Sequence, residues 1–361
     1  MSTELKGGIT TGSCAALAAK AAALLLFRHE RVDQVEIPLP DGSRLMWPVA
    51  SLELRDDSAE ASIIKDAGDD PDVTHGARIR VRVMPGHGTE VIFRAGPGVG
   101  TVTLPGLALG VGEAAINPVP RTMITAAIRE VTEHGVMVTV AVDGGEELAA
   151  QTFNPKLGIE GGISIIGTSG RVRPFSAQAL QQSLKCALDI CIASHTAAPV
   201  FVPGNMGRTA ALRAFHLKKQ QVVEVSNEWG YMLEQAQQQP FAALLLLGHP
   251  GKLAKLAMGQ WNTHSSQSGS AVPFVADLAQ QVLHRPLANA TTVEGVFMEH
   301  LTAPQRHRVA DRLAGAIQRN TAKTFPASWH PQVVLINLKG DILGSTGNLL
   351  PWLPQPEEVK G

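Results

Sequence analysis

The chain has 361 residues, of which 44% are hydrophobic and 4% aromatic, and its formal net charge is −1. This length exceeds what one hydrophobic core usually supports, so two domains are expected. The balanced charge and the few aromatic rings argue against nucleic acid and anionic membranes as partners. Three cysteines without a CxxC pair indicate neither a disulfide framework nor a structural zinc site.

The first predicted element is a helix within GGITTGSCAALAAKAAALLLF, residues 7–27. Residues 15–27 favour a buried helix that is apolar nearly all round, and Thr11 or Ser13 suits its N-cap. Lys20 interrupts the apolar run, which is atypical of a signal peptide, so a cytoplasmic protein is predicted. The helix start can hold an anion on its free N–H groups, but a capped end that binds nothing explains the same residues.

Residues 1–155 are predicted to form an α+β domain. A hairpin is expected around Pro40-Asp41-Gly42, because two strand-like runs flank this turn sequence. Helical periodicity at residues 122–133 ends at His134-Gly135, a typical helix terminus. The other strands are predicted at residues 78–83, 90–94 and 136–142.

Residues 156–361 are predicted to form an α/β domain with a parallel sheet. Short apolar strands alternate with helices there, which is typical of a sheet covered on both faces. The strands are expected at residues 163–166, 200–202, 222–225 and 243–247. The helices are expected from Ser176, at residues 208–216 and 231–238, and from Lys252.

Three glycine-containing segments follow predicted strands of this sheet, where ligands of open α/β sheets bind, and the third of them, residues 248–252, follows the fourth strand. Gly167-Thr168-Ser169-Gly170 follows the first strand, and Pro203-Gly204-Asn205 follows the second. The former suits a nucleotide-like ligand or a simple tight turn, and it is neither a full GxGxxG nor a Walker motif. The latter lacks the carboxylate that usually binds an adenosine ribose.

Two further clusters carry candidate chemistry. In KDAGDDPDVTHG, residues 65–76, four aspartates precede His75, so the segment can bind a hard cation, supply acid and base, or be a solvated turn. Cations near predicted strand ends suit a substrate with several carboxylates, although lysines on helices are usually only solvated. These cations are Arg171, Arg173, Lys252 and Lys255, and Arg121 begins a predicted helix.

Five segments together resemble the CbiD family, the cobalt-precorrin-5B C-1 methyltransferases of anaerobic cobalamin biosynthesis. The resemblance runs from about residue 5 to beyond residue 265, and departs from the family pattern at SNEWGYM and SSQSGSAVPF. The segments are GGITTGSCAALAAKAA, IKDAGDDPDVTHG, GPGVGTVTLPGLALGVGEAAINPVPR, FNPKLGIEGGISIIGTSGRVRP and LLGHPGKLAKLAMGQWNTHS.

The resemblance implies S-adenosylmethionine as methyl donor, a cobalt-precorrin tetrapyrrole as acceptor, and a Rossmann-like second domain. Cobalt would arrive inside the substrate, so no metal site of the protein's own is expected. Donor binding is assigned to Gly167, Thr168, Ser169, Gly170, Gly204 and Asn205. Substrate binding is assigned to Thr10, Thr11, Ser13, Arg121, Arg171, Arg173, Lys252, Asn262 and His264. The candidate bases are His75, Asp66 and His249.

Two other functions remain open from the sequence. A small-molecule kinase would use a glycine-rich loop to cradle phosphates, although the Walker lysine pattern is missing. A non-catalytic tetrapyrrole carrier would keep the fold and bind a corrinoid without methyl transfer. The sequence leaves the number of subunits open, a homo-oligomer included.

Overall fold

The structure is a computed structural model that describes residues 5–287 and 290–353. The described chain has a mixed α/β architecture and divides into two compact units, Met1–Ala179 and Leu180–Gly361. The sequence placed a domain boundary at 155/156, whereas the first unit extends to residue 179. The extension arises because three short strands after residue 158 pair with strands of the first unit.

The first unit contains thirteen described strands and three helices, and a fourth helix begins at its end. The strands are β1 (Gly8–Ile9), β2 (Gln34–Pro38), β3 (Arg44–Pro48), β4 (Ser51–Arg55), β5 (Ser58–Ile64), β6 (Arg78–Pro85), β7 (Val91–Ala95), β8 (Gly98–Val99), β9 (Thr101–Val102), β10 (Val136–Val142), β11 (Ile159–Glu160), β12 (Gly162–Ile163) and β13 (Arg171–Val172). The helices are α1 (Thr11–Arg28), α2 (Pro118–Arg129), α3 (Gly145–Ala149) and α4 (Ala177–Ala193).

The main sheet of the first unit has the strand order β4-β5-β6-β10-β7. Its pairs are antiparallel except β10 with β7. Ile79, Val81 and Val83 alternate with arginines along β6, and their side chains are fully buried. This alternation produces one apolar face, and α1 packs against it on β5 and β6 while also contacting α2.

Helix α1 is the core helix of the first unit. By length and hydropathy it could cross a bilayer, but 78% of that window is buried among the unit's own residues. The cap is Thr10, one residue before the predicted Thr11 and three before the predicted Ser13, because Thr10 Oγ1 accepts from the Ser13 N–H. The lysine inside the apolar run has a partner, since Lys20 Nζ donates to the Glu36 carbonyl and to the Glu130 carboxylate.

The second unit contains five strands and six further helices among its described residues. The strands are β14 (Val200–Val202), β15 (Val222–Glu224), β16 (Leu244–Gly248), β17 (Pro331–Ile336) and β18 (Ile342–Thr346). The helices are α5 (Asn205–Ala214), α6 (Trp229–Gln237), α7 (Pro250–Ala257), α8 (Val272–Leu283), α9 (Val293–His300) and α10 (Ala303–Thr324).

The sheet of the second unit has the order β15-β14-β16-β17-β18, and only β18 is antiparallel. Alternate residues of β16 enter different cores: Leu244 and Leu246 pack with one set of helices, and Leu245 and Leu247 pack on the opposite face. Burial of both faces explains the continuous apolar strand sequences. The four parallel strands end at one edge, which we call the carboxyl edge.

Several predicted elements are confirmed with small shifts. The hairpin at Pro40-Asp41-Gly42 forms from β2 and β3, and β10 and β14 have the predicted bounds. Helix α2 begins four residues before the predicted start, because prolines fit its first turn, and it ends at Arg129 rather than at His134-Gly135. The predicted strand at 163–166 is wrong as part of the parallel sheet: β12 pairs with β8 in the first unit.

Candidate functional site

The amino-terminal end of α1 is occupied by a segment far away in the sequence. The Gly12 N–H donates to the Ile166 carbonyl at 2.9 Å, and the Thr10 N–H donates to the Gly170 carbonyl at 3.3 Å. Ser13 Oγ donates to that same Gly170 carbonyl at 2.5 Å, and Thr11 Oγ1 accepts from the Ile166 N–H at 2.9 Å. Thr10, Thr11 and Ser13 are buried, so the predicted anion site at this helix start is filled by the chain itself.

The loop Gly167–Gly170 therefore lies in the first unit and does not follow a strand of the parallel sheet. Gly167 has φ +134°, and a Cβ there would overlap the Thr10 side chain. Gly170 has φ +78° and lies against Ser13 and Leu39. These glycines are required for close packing against the start of α1, and the sequence-based reason for a donor site here is wrong. Gly204 and Asn205 lie in the second unit, so the predicted donor residues are divided between the units.

An ion pair between a buried lysine and a partly exposed aspartate organises the Asp/His loop. Lys65 is almost fully buried, and its Nζ lies 2.5 Å from Asp72 Oδ2. Burial alone would raise the pKa of Asp72, but the Lys65 charge and two hydrogen bonds from Thr74 outweigh it and lower the pKa. Asp72 is thus a fixed anion of the fold.

The two candidate bases of this loop have structural partners. Asp66 accepts from Lys6 Nζ and from the Gly68 N–H, both at 2.8 Å, and these bonds lower its pKa. His75 Nδ1 accepts from the Ala67 N–H at 3.1 Å and lies 3.7 Å from Asp66 Oδ1. Neutral His75 therefore carries its proton on Nε2, in a side chain that is more than half exposed. Among the described residues, no group of three His, Cys, Asp or Glu side chains is placed to hold a metal ion.

The predicted arginines of the first unit differ in whether their guanidinium groups already have partners within the fold. Arg121 donates to the Ile116 and Ala114 carbonyls and pairs with Glu113 at 3.1 Å. Its guanidinium group is therefore bonded within the fold. Arg171 and Arg173 are exposed, and neither forms an ion pair in the described part of the chain.

In the second unit, the carboxyl edge has a topological switch point. β15 and β16 follow β14 in the chain but pair with it from opposite sides, so the crossovers leave in opposite directions. Such a switch point is where open α/β sheets bind ligands. Gly204 lies there: it precedes α5 without a side-chain cap, and a Cβ built on it would meet nothing within 4 Å.

His249 follows β16 and has both ring nitrogens occupied. Nδ1 accepts from the Gly251 N–H at 3.0 Å, which caps α7, and Nε2 lies 2.8 Å from Glu294 Oε2. Since Nδ1 accepts, the neutral ring donates from Nε2 to Glu294. The Leu338 N–H donates to the other Glu294 oxygen at 3.3 Å. The histidine thus joins α7, α9 and the turn after β17.

Two other predicted residues of this unit connect loops. Asn262 Nδ2 donates to Glu228 Oε1 at 2.7 Å, and Lys252 Nζ donates to Asn227 Oδ1 at 2.9 Å. His264 is exposed and its Nδ1 lies 2.7 Å from Ser266 Oγ. Asn227 and Glu294 were not predicted from the sequence. Asn227 could have been found, because it follows a predicted strand of the sheet. Glu294, at the start of α9, gave no such signal.

Comparison with known proteins identifies the family. Residues 1–174 match the family model CbiD, and residues 262–347 match the model described as CbiD, C-terminal domain. A curated relative from Syntrophotalea carbinolica, named cobalt-precorrin-5B C(1)-methyltransferase, is 52% identical over 96% of this chain and 99% of its own. The chain belongs to the CbiD family. The resemblance seen in the five motifs is confirmed, and the departing segment SSQSGSAVPF lies inside the second matched range.

Other members of the CbiD family are also similar along the chain. A relative of the same name from Desulfitobacterium hafniense is 42% identical over 89% of this chain and 87% of its own. A crystal structure titled cobalamin biosynthesis protein (cbiD) from Archaeoglobus fulgidus is 28% identical and covers 72% of this chain and 82% of that one. Its TM-score is 0.39.

Proposed function

We propose that this chain methylates C-1 of cobalt-precorrin-5B in cobalamin biosynthesis, with S-adenosylmethionine as the donor. Cobalt enters only as part of the tetrapyrrole, and the reaction takes place in the cytoplasm. The observation that carries the proposal is the 52% identity, over 96% of the chain, to a relative curated under that activity.

Methyl transfer from a sulfonium group needs no covalent nucleophile from the protein. When bound, the donor supplies a sulfonium methyl: the acceptor carbon forms the new C–C bond as the C–S bond breaks, and the electron pair of that bond stays on sulfur. Holding the partners in line can supply about 7–11 kcal/mol of the barrier reduction. Cys14 takes no part, because complete burial raises its pKa to about 12 and keeps it a thiol.

We assign donor binding to the carboxyl edge of the second unit, which we regard as a Rossmann-like domain. Three features support this: the switch point beside β14, the open space above Gly204, and Asn205 at the exposed start of α5. The segment 166–170 fixes the start of α1 instead, since the Ile166 carbonyl accepts from the Gly12 N–H and the Gly170 carbonyl accepts from the Thr10 N–H and from Ser13 Oγ.

Arg171 and Arg173 are assigned to the acetate and propionate groups of the tetrapyrrole. Both are exposed, and their planar guanidinium groups match carboxylates in geometry and charge. His264 and Asn262 keep their proposed substrate role, although Asn262 is already bonded to Glu228.

The hydrogen bonds favour structural roles for the three candidate bases. His249 has no lone pair left, and neutral His75 presents an N–H rather than a lone pair to solvent. The pKa of Asp66 is lowered, which makes it a weak base. We therefore propose that alignment of the reactants, rather than proton abstraction by these groups, drives the transfer.

The test uses S-adenosylmethionine labelled with carbon-13 in its methyl group and enzymatically prepared cobalt-precorrin-5B. We expect the tetrapyrrole to gain one labelled methyl group and the label to appear at C-1 by NMR. Absence of transfer, or label on another carbon, would contradict the proposal. Binding of ATP without binding of the donor would favour the kinase, and binding of a corrinoid without transfer would favour the carrier.

A further inference from the structure

Two lysines on the inner side of α7 have only neutral oxygen atoms as partners. Lys255 is buried, and its Nζ donates to the Thr263 carbonyl at 3.1 Å and to Ser268 Oγ at 2.8 Å. Lys252 Nζ donates to the amide oxygen of Asn227 at 2.9 Å. Among the described residues no carboxylate lies within ion-pair distance of either ammonium group, so the positive charge of both lysines is uncompensated.

The Lys252–Asn227 bond crosses the switch point. Asn227 lies three residues after the end of β15, and Lys252 lies four residues after the end of β16. β14 lies between these two strands, which are therefore about 10 Å apart. The bond thus spans the carboxyl end of β14, directly after which Gly204 leaves open space.

The electrostatics of this place favour an anion. Burial lowers the pKa of Lys252, and the charge of Lys255 lowers it further. Both effects mean that the ammonium group lacks water and a counter-charge. A hydrogen bond to a neutral amide compensates this only in part, whereas a carboxylate would compensate it fully.

We propose that Lys252, held in place by Asn227, binds a carboxylate of a reactant at the end of β14. The identity of the reactants rests on the proposed function, which offers two sources. One is the amino-acid end of S-adenosylmethionine, and the other is an acetate or propionate group of the tetrapyrrole. The carboxylate is the shared chemistry, and the experiment distinguishes the sources.

The experiment is calorimetric titration of the full chain and its variants with three probes. These are S-adenosylmethionine, its decarboxylated analogue, and cobyrinic acid as a stable corrinoid with free carboxylates. Lys252→Met removes the charge, Lys252→Arg keeps it, and Lys323→Met is the control, because Lys323 is exposed on α10. A thermal melt of each variant establishes that it is folded.

A second variant tests the site without removing the lysine. Asn227→Asp places a carboxylate where the amide oxygen now accepts from Lys252. The new carboxylate should form an ion pair with the Lys252 ammonium group in place of the reactant carboxylate. Thr263 Oγ1 can still donate to the new side chain, as it does to Asn227 Oδ1 at 3.1 Å. We expect this variant to be at least as stable as the parent chain and to bind the reactant carboxylate more weakly.

If the donor is the source, Lys252→Met and Asn227→Asp lower the affinity for S-adenosylmethionine about 10- to 100-fold and leave the decarboxylated analogue almost unchanged. If the tetrapyrrole is the source, the loss appears with cobyrinic acid alone. Lys252→Arg should retain most of the affinity in either case. Unchanged affinity of both folded variants for all three probes overturns the proposal. Failure of the parent chain to transfer methyl would instead contradict the proposed function, and the titrations would still decide the role of Lys252.

Discussion

The starts of α1 and α5 have similar sequences and opposite surroundings. Each start combines glycine with small polar residues, Thr11 and Ser13 at α1 and Asn205 at α5, a pattern that suits anion binding at a helix end. At α1, the Ile166 carbonyl accepts from the Gly12 N–H, and the Gly170 carbonyl accepts from the Thr10 N–H and from Ser13 Oγ. At α5, Gly204 makes no side-chain cap and has open space beside it. A helix start is thus a site only if no other segment fills it, and that depends on contacts more than 150 residues apart.

Gly167→Val tests the packed end and should have the largest effect on stability. The new side chain requires a backbone conformation that L-residues avoid, and it overlaps Thr10. Strain and overpacking each cost about 1–3 kcal/mol, so we expect a loss of about 2–6 kcal/mol in the free energy of unfolding. Urea denaturation measures it. A stability equal to that of the parent chain would show that this loop does not hold α1 as described.

Lys65→Met tests the ion pair beside this end. Lys65 contributes to the electrostatic environment of Cys14 on α1, and its removal leaves Asp72 without its main counter-charge. Since Asp72 is partly exposed, we expect a cost of about 2–4 kcal/mol. The double variant Lys65→Met/Asp72→Asn should recover part of the loss. A double variant as unstable as the sum of the two single changes would contradict a coupled pair.

Gly204→Val makes the same substitution at the open end. Gly204 has an extended backbone and a Cβ there meets no atom within 4 Å, so thermal stability should change little. The side chain would occupy the space assigned to the donor, and we expect the affinity for S-adenosylmethionine to fall about tenfold or more. Calorimetric titration measures it. Unchanged donor affinity in the folded variant would remove the donor from this part of the carboxyl edge.

The contrast also separates what could be predicted from what could not. The β2–β3 hairpin and β10 follow from local signals, a turn sequence and an apolar run, and they form as predicted. The strand at Gly162–Ile163 has the same local signal as a parallel-sheet strand, but it pairs with Gly98–Val99 across about sixty residues. The burial of Lys65 likewise gives no local sign, because its neighbours in the sequence are the polar residues of a turn-rich loop.

Glu130, which pairs with Lys20 in the middle of α1, should make the free energy of unfolding depend on pH. The carboxylate of Glu130 accepts from Arg44 and Lys20, and these bonds lower its pKa from 4.5 to about 2. A lowered folded-state pKa gives stability that is complete above pH 4.5 and is lost as the pH falls towards 2. Because the group is partly solvated, Glu130→Gln should cost about 1–2 kcal/mol at pH 7. Denaturation of the parent chain and the variant at pH 7 and near pH 2 checks this. The difference in their free energies of unfolding should disappear near pH 2.

The smallest effect concerns the caps themselves. Thr10→Ala removes the oxygen that accepts from the Ser13 N–H, and an N-cap of this kind contributes about 1 kcal/mol. Thr10→Ser keeps the oxygen and should recover most of that loss. At the other end, Gly204→Ser adds a cap that α5 lacks, so its stability should rise by only a few tenths of a kcal/mol. Thermal denaturation of the three variants compares the ends directly. A larger loss from Gly204→Ser than from Thr10→Ala would reverse the assignment of which helix start is closed, because only a closed end has no room for an added side chain.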